Sequence, residues 1–184
     1  MGSRRLPGLV VDGYNAIRTC RRYSVLVDEE ILDPTLHDVY IRAREALIAD
    51  VAAYAKGRYD ATVVFDAFGN EDPERPELTV AGVRVVFSDP GEEADTVIER
   101  LVSEGRRSGR RMTVVTSDHL IQSTVYGEGV TRVSSQVFEG ETQVMRRHIE
   151  EMRELPKNRK NTVADRVPRD VRQRLWEMAR GRCD

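Results

Sequence analysis

The sequence has few of the residues and runs that mark several common protein classes. It holds two cysteines, Cys20 and Cys183, one near each end of the 184-residue chain. This pattern excludes a disulfide framework and lacks the cysteine pairs of a structural zinc site, so we expect a reducing, cytoplasmic location. The apolar run after Arg4 and Arg5 stops at Asp12, which makes it too short for a signal peptide or a membrane span.

Two familiar catalytic signatures are also missing. The chain has no G-x-S-x-G stretch, the signature of many serine hydrolases. It has no glycine-rich loop followed by lysine either, which argues against a nucleotide-binding phosphate loop. What remains is a length typical of one domain, with 40% hydrophobic and 33% charged residues, and such a chain can bury a sizeable core.

Short apolar runs alternate with segments of helical periodicity along most of the chain. Runs without polar alternation are typical of strands buried on both faces, and their alternation with helices predicts a mainly parallel sheet covered on both sides. We expect a loop with at most a helical turn over 18–35 and a second loop over 67–81. The predicted strands are 9–12, 61–66, 83–87, 112–118 and 130–133, and the predicted helices are 37–56, 92–104, 119–126 and 135–155.

Three of the predicted strands end in aspartate. These residues are Asp12, Asp66 and Asp118, and Asp95 lies in the first turn of a helix that enters from the same edge. Ligands of open α/β sheets bind at the carboxyl ends of the strands, and carboxylates gathered there repel one another. No Lys or Arg lies beside them in sequence. The simplest remedy is a divalent cation, Mg²⁺ or Mn²⁺, which prefers carboxylate and water ligands.

A metal ion in such a site suits hydrolysis of a phosphodiester bond, because it makes a water more acidic and stabilises charge on phosphate oxygens. We expect Asp12 and Asp95 to be direct ligands, and Asp118 and Asp66 to bind the ion or orient its water. Asn15 either holds a phosphate or a water that hydrogen-bonds to the metal's ligands, or it caps the following helix. A single strand-end aspartate is usually a cap or turn residue, but four at equivalent ends favour a site.

The charge of the chain is unevenly distributed. Residues 155–184 carry nine Lys or Arg against four Asp or Glu, whereas the remainder carries 20 against 27. Basic side chains outside the acidic edge are needed to hold the phosphates of a nucleic acid strand. Ser117 can bind a phosphate or make a structural hydrogen bond. The candidate RNA-binding residues are Arg18, Arg21, Arg22, Ser117, Lys157, Arg159 and Lys160, with Arg106, Arg107, Arg110 and Arg111 as further basic candidates.

Four motifs in this order, VVDGYN, VVFDAF, GEEADTVIERL and VVTSD, resemble the NYN domain family of the PIN-like nuclease superfamily, in its YacP-like branch. The resemblance covers about residues 9–155. It implies a PIN-like (Rossmann-like) three-layer α/β/α sandwich and metal-dependent ribonuclease activity, with the family's acidic positions at Asp12, Asp66, Asp95 and Asp118 and its asparagine at Asn15. This branch includes a ribosome-associated endoribonuclease that cuts messenger RNA, so mRNA and the ribosome become candidate partners.

We therefore expect a nuclease domain over 1–155, followed by a basic linker and an amphipathic helix over 156–184. The leading hypothesis is a divalent-metal-dependent endoribonuclease acting on single-stranded RNA. The alternative is a non-catalytic RNA- or ribosome-binding module, although clustered carboxylates serve no purpose in binding alone. A phosphotransfer enzyme or receiver domain is disfavoured, because Tyr14 replaces the second aspartate of one class and residues 130–135 lack the lysine of the other.

Overall fold

The protein is described by a computed structural model over residues 5–33, 38–67 and 78–154. Within these ranges, strands and helices alternate along most of the chain. The strands are β1 Gly8–Asp12, β2 Asp60–Phe65, β3 Leu78–Val80, β4 Val83–Phe87, β5 Met112–Val115 and β6 Val130–Val133. The helices are α1 Gly13–Thr19, α2 Arg21–Ile31, α3 Ile41–Ala55, α4 Ala94–Arg107, α5 His119–Thr124 and α6 Ser135–Glu154.

The strands form one sheet in the order β3-β4-β2-β1-β5-β6. All neighbouring pairs are parallel except β3 and β4, which pair antiparallel at the edge. Every residue of the central strand β1 is buried, and this explains its unbroken apolar run. Because β1, β2 and β5 are adjacent and parallel, their carboxyl ends meet at one edge of the sheet.

Helices cover both faces of the sheet, and alternate residues of each central strand supply the two cores. On one face, Leu9 and Val11 pack in a core that includes residues of α1, α2 and α3 together with Phe138 of α6. On the other face, Val10 packs with residues of α4 and α5. The three-layer α/β/α sandwich with a mainly parallel sheet is thereby confirmed.

Two parts of the predicted secondary structure were wrong. Residues 18–35 were predicted to form a loop, but α1 and α2 occupy most of 13–31. The buried positions of α2 are Tyr23, Val27 and Glu30, and the carboxylate at the third position broke the apolar periodicity on which the prediction relied. The end of the predicted loop over 67–81 contains β3, a three-residue strand whose side chains are all exposed, so it has no apolar pattern.

The chain divides into two units after Met145, within α6. The first unit contains the sheet and all the helices up to that point, while the described part of the second is the continuation of α6 over 146–154. The predicted domain boundary at 155/156 and the basic residues Lys157, Arg159 and Lys160 lie at or beyond the end of the described residues. Among the helices that are described, none is long and apolar enough to cross a membrane.

Candidate active site

The first candidate-site residue, Asp12, ends β1 and caps α1. Its Oδ1 accepts a hydrogen bond from the backbone N–H of Asn15 at 3.1 Å, so the cap role that a lone strand-end aspartate usually plays is present here. Its Oδ2 accepts a second hydrogen bond, at 3.0 Å, from the hydroxyl of Thr116. The side chain is only 6% exposed. Each carboxylate oxygen keeps a free lone pair, so Asp12 can still bind a cation.

Thr116 joins two of the candidate aspartates, and the sequence analysis did not identify it. It follows β5, is fully buried, and its hydroxyl donates to Asp12 while accepting the backbone N–H of Asp118 at 3.1 Å. A buried hydroxyl used as both donor and acceptor fixes both neighbours. The available signal was its place in VVTSD, two residues before the aspartate.

Asp118 caps α5 from the loop after β5. Its Oδ1 accepts the backbone N–H of Leu120 at 2.7 Å, and the residue is half-buried. Among the described residues its Oδ2 accepts no hydrogen bond. The end of β5 therefore brings a carboxylate with one unoccupied oxygen to the same edge as Asp12.

Asp95 lies in the first turn of α4, where the helix dipole favours an acidic residue. Burial raises the pKa of this carboxyl, and the charges of Asp12, Asp118, Glu93 and Glu99 raise it further. Burial also raises the pKa of Asp12, and the charge of Asp118 adds to that effect. The structure thus brings Asp12, Asp95 and Asp118 close enough together for each pair to repel.

One of the predicted RNA-binding residues, Arg18, acts on this acidic edge, although no Lys or Arg is adjacent to the aspartates in the sequence. Arg18, on the last turn of α1, lowers the pKa of Asp12 through its charge. It is six residues from Asp12 in the sequence, and α1 begins directly after β1 and contains it. Arg18 is exposed and among the described residues its side chain forms no hydrogen bond or ion pair.

Asn15 lies within α1 and does not cap it, since Asp12 has that role. Its Oδ1 accepts hydrogen bonds from the backbone N–H of Ser117 at 2.8 Å and from the hydroxyl of Ser135 at 2.9 Å. The Asn15 side chain therefore ties α1 to the loop after β5 and to the start of α6. Its Nδ2 makes no hydrogen bond with any described residue, which leaves two donors for another group.

The hydroxyl of Ser117 forms two hydrogen bonds within the protein. It donates to Gln136 Oε1 at 2.8 Å and accepts the backbone N–H of Ser135 at 3.0 Å. Arg22 is similarly engaged, with its Nε 2.8 Å from the buried Oδ2 of Asp50. Arg21 is exposed on α2. The RNA-binding roles predicted for these residues remain predictions.

Asp66 follows the last residue of β2 and is half-buried. The loop that it begins is held at its next residue, where the backbone N–H of Ala67 donates to Ser88 Oγ at 3.0 Å. Since β2 pairs with β1 such that Val64 lies opposite Asp12, Asp66 lies just beyond the level of Asp12. This places it at the predicted edge of the sheet.

The aspartates at this edge of the sheet meet only part of what a hard divalent cation requires of its ligands. Over 5–33, 38–67 and 78–154, no group of three or more His, Cys, Asp or Glu side chains is arranged to hold a metal ion. A ready-made cage of three or four carboxylates is therefore absent from that part of the chain. Mg²⁺ commonly uses one or two carboxylates and keeps several waters. Asp12 and Asp95, whose charges act on each other, supply two carboxylates of the kind that such an ion uses.

Comparison with known proteins gave a match to one family model. Residues 9–180 match the family described as the YacP-like NYN domain. A curated relative from Bacillus subtilis (strain 168), named "Uncharacterized protein YacP", is 31% identical over 147 residues, covering 77% of this chain and 78% of the relative.

Solved structures of a Bacillus subtilis protein named Rae1 (YacP) are also similar. One matches with a TM-score of 0.65 and 26% identity, and covers 96% of both chains. The structure of a tryptophan-to-leucine mutant of that protein matches with a TM-score of 0.60 and 28% identity, covering 79% of this chain and 80% of the other. The fold of the described residues is therefore shared with that protein.

Proposed function

The chain belongs to the YacP-like NYN domain family, a family of PIN-like nucleases, and from this premise we propose that it is a divalent-metal-dependent endoribonuclease. Its substrate would be single-stranded RNA, cut by hydrolysis of a phosphodiester bond. The resemblance of its motifs to the branch with a ribosome-associated member extends the proposal to messenger RNA on the ribosome, in the cytoplasm.

One observation carries the proposal: the charges of Asp12, Asp95 and Asp118 act on one another at one edge of the sheet. Repulsion of this kind destabilises a fold unless a cation offsets it or a function requires it. Asp12 is also buried and held by two hydrogen bonds. An ordinary surface cap has neither feature, so the arrangement supports a binding site for a cation.

Asp12 and Asp95 would hold a Mg²⁺ or Mn²⁺ ion, with Asp118 and Asp66 as further ligands or as acceptors for its waters. The bound ion would supply positive charge towards the phosphate and would make an attacking water more acidic. Thr116 positions Asp12 and the backbone of Asp118 relative to each other. The unoccupied Oδ2 of Asp118 can accept a hydrogen bond from the attacking water.

Two donors in the site can hold the RNA strand itself. The Nδ2 group of Asn15 has no partner among the described residues, and its Oδ1 is fixed by Ser117 and Ser135. This leaves a rigid donor for a phosphate oxygen. Arg18, whose charge reaches Asp12, can neutralise a neighbouring phosphate. Arg21, Arg22 and the basic residues Lys157, Arg159 and Lys160 would bind phosphates further along the strand.

The direct test is cleavage of a labelled single-stranded RNA by the wild type and by Asp12→Asn, with Mn²⁺ and with EDTA. Loss of a residue that merely supports a metal ligand reduces activity or affinity about 10- to 100-fold, so loss of Asp12 should reduce cleavage by at least about 100-fold. EDTA should abolish cleavage by the wild type. Asp28→Asn, which changes an exposed aspartate on α2, serves as the matched control and should cut normally.

The outcome also separates the enzyme from the alternative of a binding module. RNA cleavage that is equal in the wild type and Asp12→Asn would refute the metal site. A wild type that binds RNA and does not cut it with any divalent ion would favour the non-catalytic module instead.

A further inference from the structure

A second charged surface lies at the opposite edge of the sheet from the aspartates. It is formed by Arg5, before β1, and by the end of α4 with the turn that leads into β5. We call these residues the arginine patch: Arg5, Arg106, Arg107, Arg110 and Arg111. The amino ends of β1 and β5 lie beneath it, and the proposed catalytic machinery has no residue there.

Most of the guanidinium groups of the arginine patch have no partner among the described residues. Arg5, Arg106, Arg107 and Arg111 are exposed, and within the described part of the chain their side chains form no hydrogen bond or ion pair. Arg110 is different, since it donates to Leu6 O at 2.8 Å and to Asp60 Oδ2 at 2.7 Å. It anchors the turn, and the other members remain available to a ligand.

The surface beside the arginine patch is concave and can accommodate an extended polymer chain. Two surface depressions of about 640 and 650 Å³ adjoin it and share the segment from Gly109 to Arg111. Gly109 has φ +70°, a conformation that glycine adopts without strain, and this turn lines both depressions. Among the described residues that line them, the first has no acidic member and the second has only Glu128.

Helix stability explains only part of this cluster. Arg106 and Arg107 occupy the last turn of α4, where cations complement the helix dipole. Arg5 and Arg111 lie outside the helix, in segments that gain nothing from it. Together with the arginines at the end of α4, these two residues provide more positive charge than the helix dipole of α4 accounts for.

We propose that the arginine patch binds the phosphate backbone of single-stranded RNA, as a second contact remote from the aspartates. The ligand's identity rests on the proposed function. Guanidinium groups pair with phosphates through two parallel hydrogen bonds, and a net charge of −2 for the whole chain means that RNA affinity depends on such local excesses of positive charge.

The geometry of α4 sets the length of RNA that can reach both sites. Asp95 and Arg106 are eleven residues apart, about three helical turns, so they lie on nearly the same face and about 17 Å apart along the axis. At about 3.4 Å for each stacked nucleotide, the two sites are separated by roughly five nucleotides. An RNA of four nucleotides that stays stacked at the aspartate edge therefore does not reach the arginine patch.

The test uses the full-length chain carrying Asp12→Asn, in EDTA, so that no RNA is cut. Into this background we introduce Arg107→Ala with Arg111→Ala, or as a control Arg42→Ala with Lys56→Ala. The control pair removes the same charge from α3 and from the residue that follows it, on the other face of the sheet. Arg42 is ion-paired with Glu29, so the control also shows the effect of losing an ordinary surface ion pair. Binding of a fluorescent 20-nucleotide RNA is followed by anisotropy at several salt concentrations. Thermal unfolding of each variant checks the fold.

Loss of two phosphate contacts should reduce the slope of log affinity against log salt by about 1.4, since each contact to a single strand contributes about 0.7. The control pair should leave the slope unchanged. In the active background, the pair in the arginine patch should weaken cleavage of the 20-nucleotide RNA at low substrate concentration and leave cleavage of a four-nucleotide RNA unaltered.

Equal slopes for the two double variants would overturn the arginine patch and leave the nuclease untouched. The RNA-binding role of the arginine patch would also be overturned if the Asp12→Asn chain failed to bind RNA, or if the patch bound polyglutamate in place of RNA. Patch-dependent RNA binding in a wild type that cuts no RNA would instead contradict the proposed function alone.

Discussion

Thr116 connects the two aspartates that end β1 and begin α5, so its removal tests how the site is held. Thr116→Val keeps the shape of the side chain but removes the donor to Asp12 Oδ2 and the acceptor for the Asp118 N–H. We expect a loss of about 1–3 kcal/mol in the free energy of unfolding, because buried polar groups lose their partners. We also expect cleavage to fall about 10- to 100-fold.

The readout that separates positioning from stability is the Mn²⁺ concentration that gives half-maximal cleavage, which should rise in Thr116→Val. Thr116→Ser retains the hydroxyl and should restore the wild-type value. A Val variant that unfolds more easily, yet has an unchanged Mn²⁺ requirement, would show that Thr116 serves only the fold.

The raised pKa of Asp95 makes a prediction about stability and pH. Its pKa lies above the ordinary value of 3.8 through burial and the charges of Asp12 and Asp118. The folded chain therefore holds this proton more tightly than the unfolded chain does. The resulting stabilisation is complete below about pH 3.8 and is lost as the pH rises through the raised pKa.

At neutral pH in EDTA, Asp95→Asn should accordingly unfold at a higher denaturant concentration than the wild type. The difference should vanish at a pH below the ordinary pKa. Mn²⁺ should stabilise the wild type more than the variant, because a ligand that binds only the folded state raises stability. A variant that is less stable than the wild type at every pH would contradict the repulsion on which the site depends.

For individual residues, the sequence identified the aspartates at this edge of the sheet but not the residues that interact with them. Asp12 ends β1 and Asp66 directly follows β2, because an apolar run that stops at an aspartate marks the point where a buried strand reaches the surface. The strand predicted over 112–118 was too long, since β5 ends at Val115 and Asp118 caps α5 instead. The hydrogen bond from Thr116 to Asp12 and the effect of the Arg18 charge on Asp12 depend on which strands are neighbours and on the path of α1, and local patterns do not contain that information.

At the level of elements, the site requires α1 to begin immediately after β1, close to β2. A Cβ on Gly13 would lie 2.3 Å from Phe65 Cε1 and 2.8 Å from Val64 O, so no side chain fits there. We expect Gly13→Ala to lower the free energy of unfolding by about 1–3 kcal/mol through overpacking. Denaturant unfolding measures this directly.

Gly140→Ala is the matched control, since Gly140 lies within α6 and a Cβ there would meet no atom within 4 Å. It should be neutral or stabilising by up to about 1 kcal/mol, as alanine is favoured over glycine inside a helix. Equal losses for both variants would mean that the close approach of α1 to β2 is not required.

A helix or strand could be predicted from the sequence where its buried residues recur at a regular spacing. The strands β2, β4 and β6 and the helices α3 to α6 have apolar stripes that local sequence displays. Helix α2 was missed because it buries the carboxylate of Glu30 along with Tyr23 and Val27, and β3 because it buries nothing. Whether a charged group is buried depends on tertiary contacts, and a short stretch of sequence does not show them.

For the molecule as a whole, charge is separated across the sheet. Repelling aspartates occupy the carboxyl edge, and the arginine patch, in which Arg110 alone has a partner among the described residues, occupies the amino edge, with α4 running from one to the other. The class of fold followed from the alternation of apolar runs with helical segments, because only a parallel sheet buried on both faces accommodates such strands. The arrangement of charge required the topology, since Arg5 and Arg111 meet only when β1 and β5 are neighbours.

The central claim is that the carboxyl edge of the sheet binds a divalent ion through Asp12 and Asp95. The most direct test is a crystal of the full-length protein soaked in Mn²⁺, with data collected at a wavelength where manganese scatters anomalously. We predict an anomalous peak within bonding distance of carboxylate oxygens of Asp12 and Asp95, which disappears in Asp12→Asn. A peak elsewhere, or an edge that stays free of manganese in crystals of an actively cutting protein, would contradict the claim.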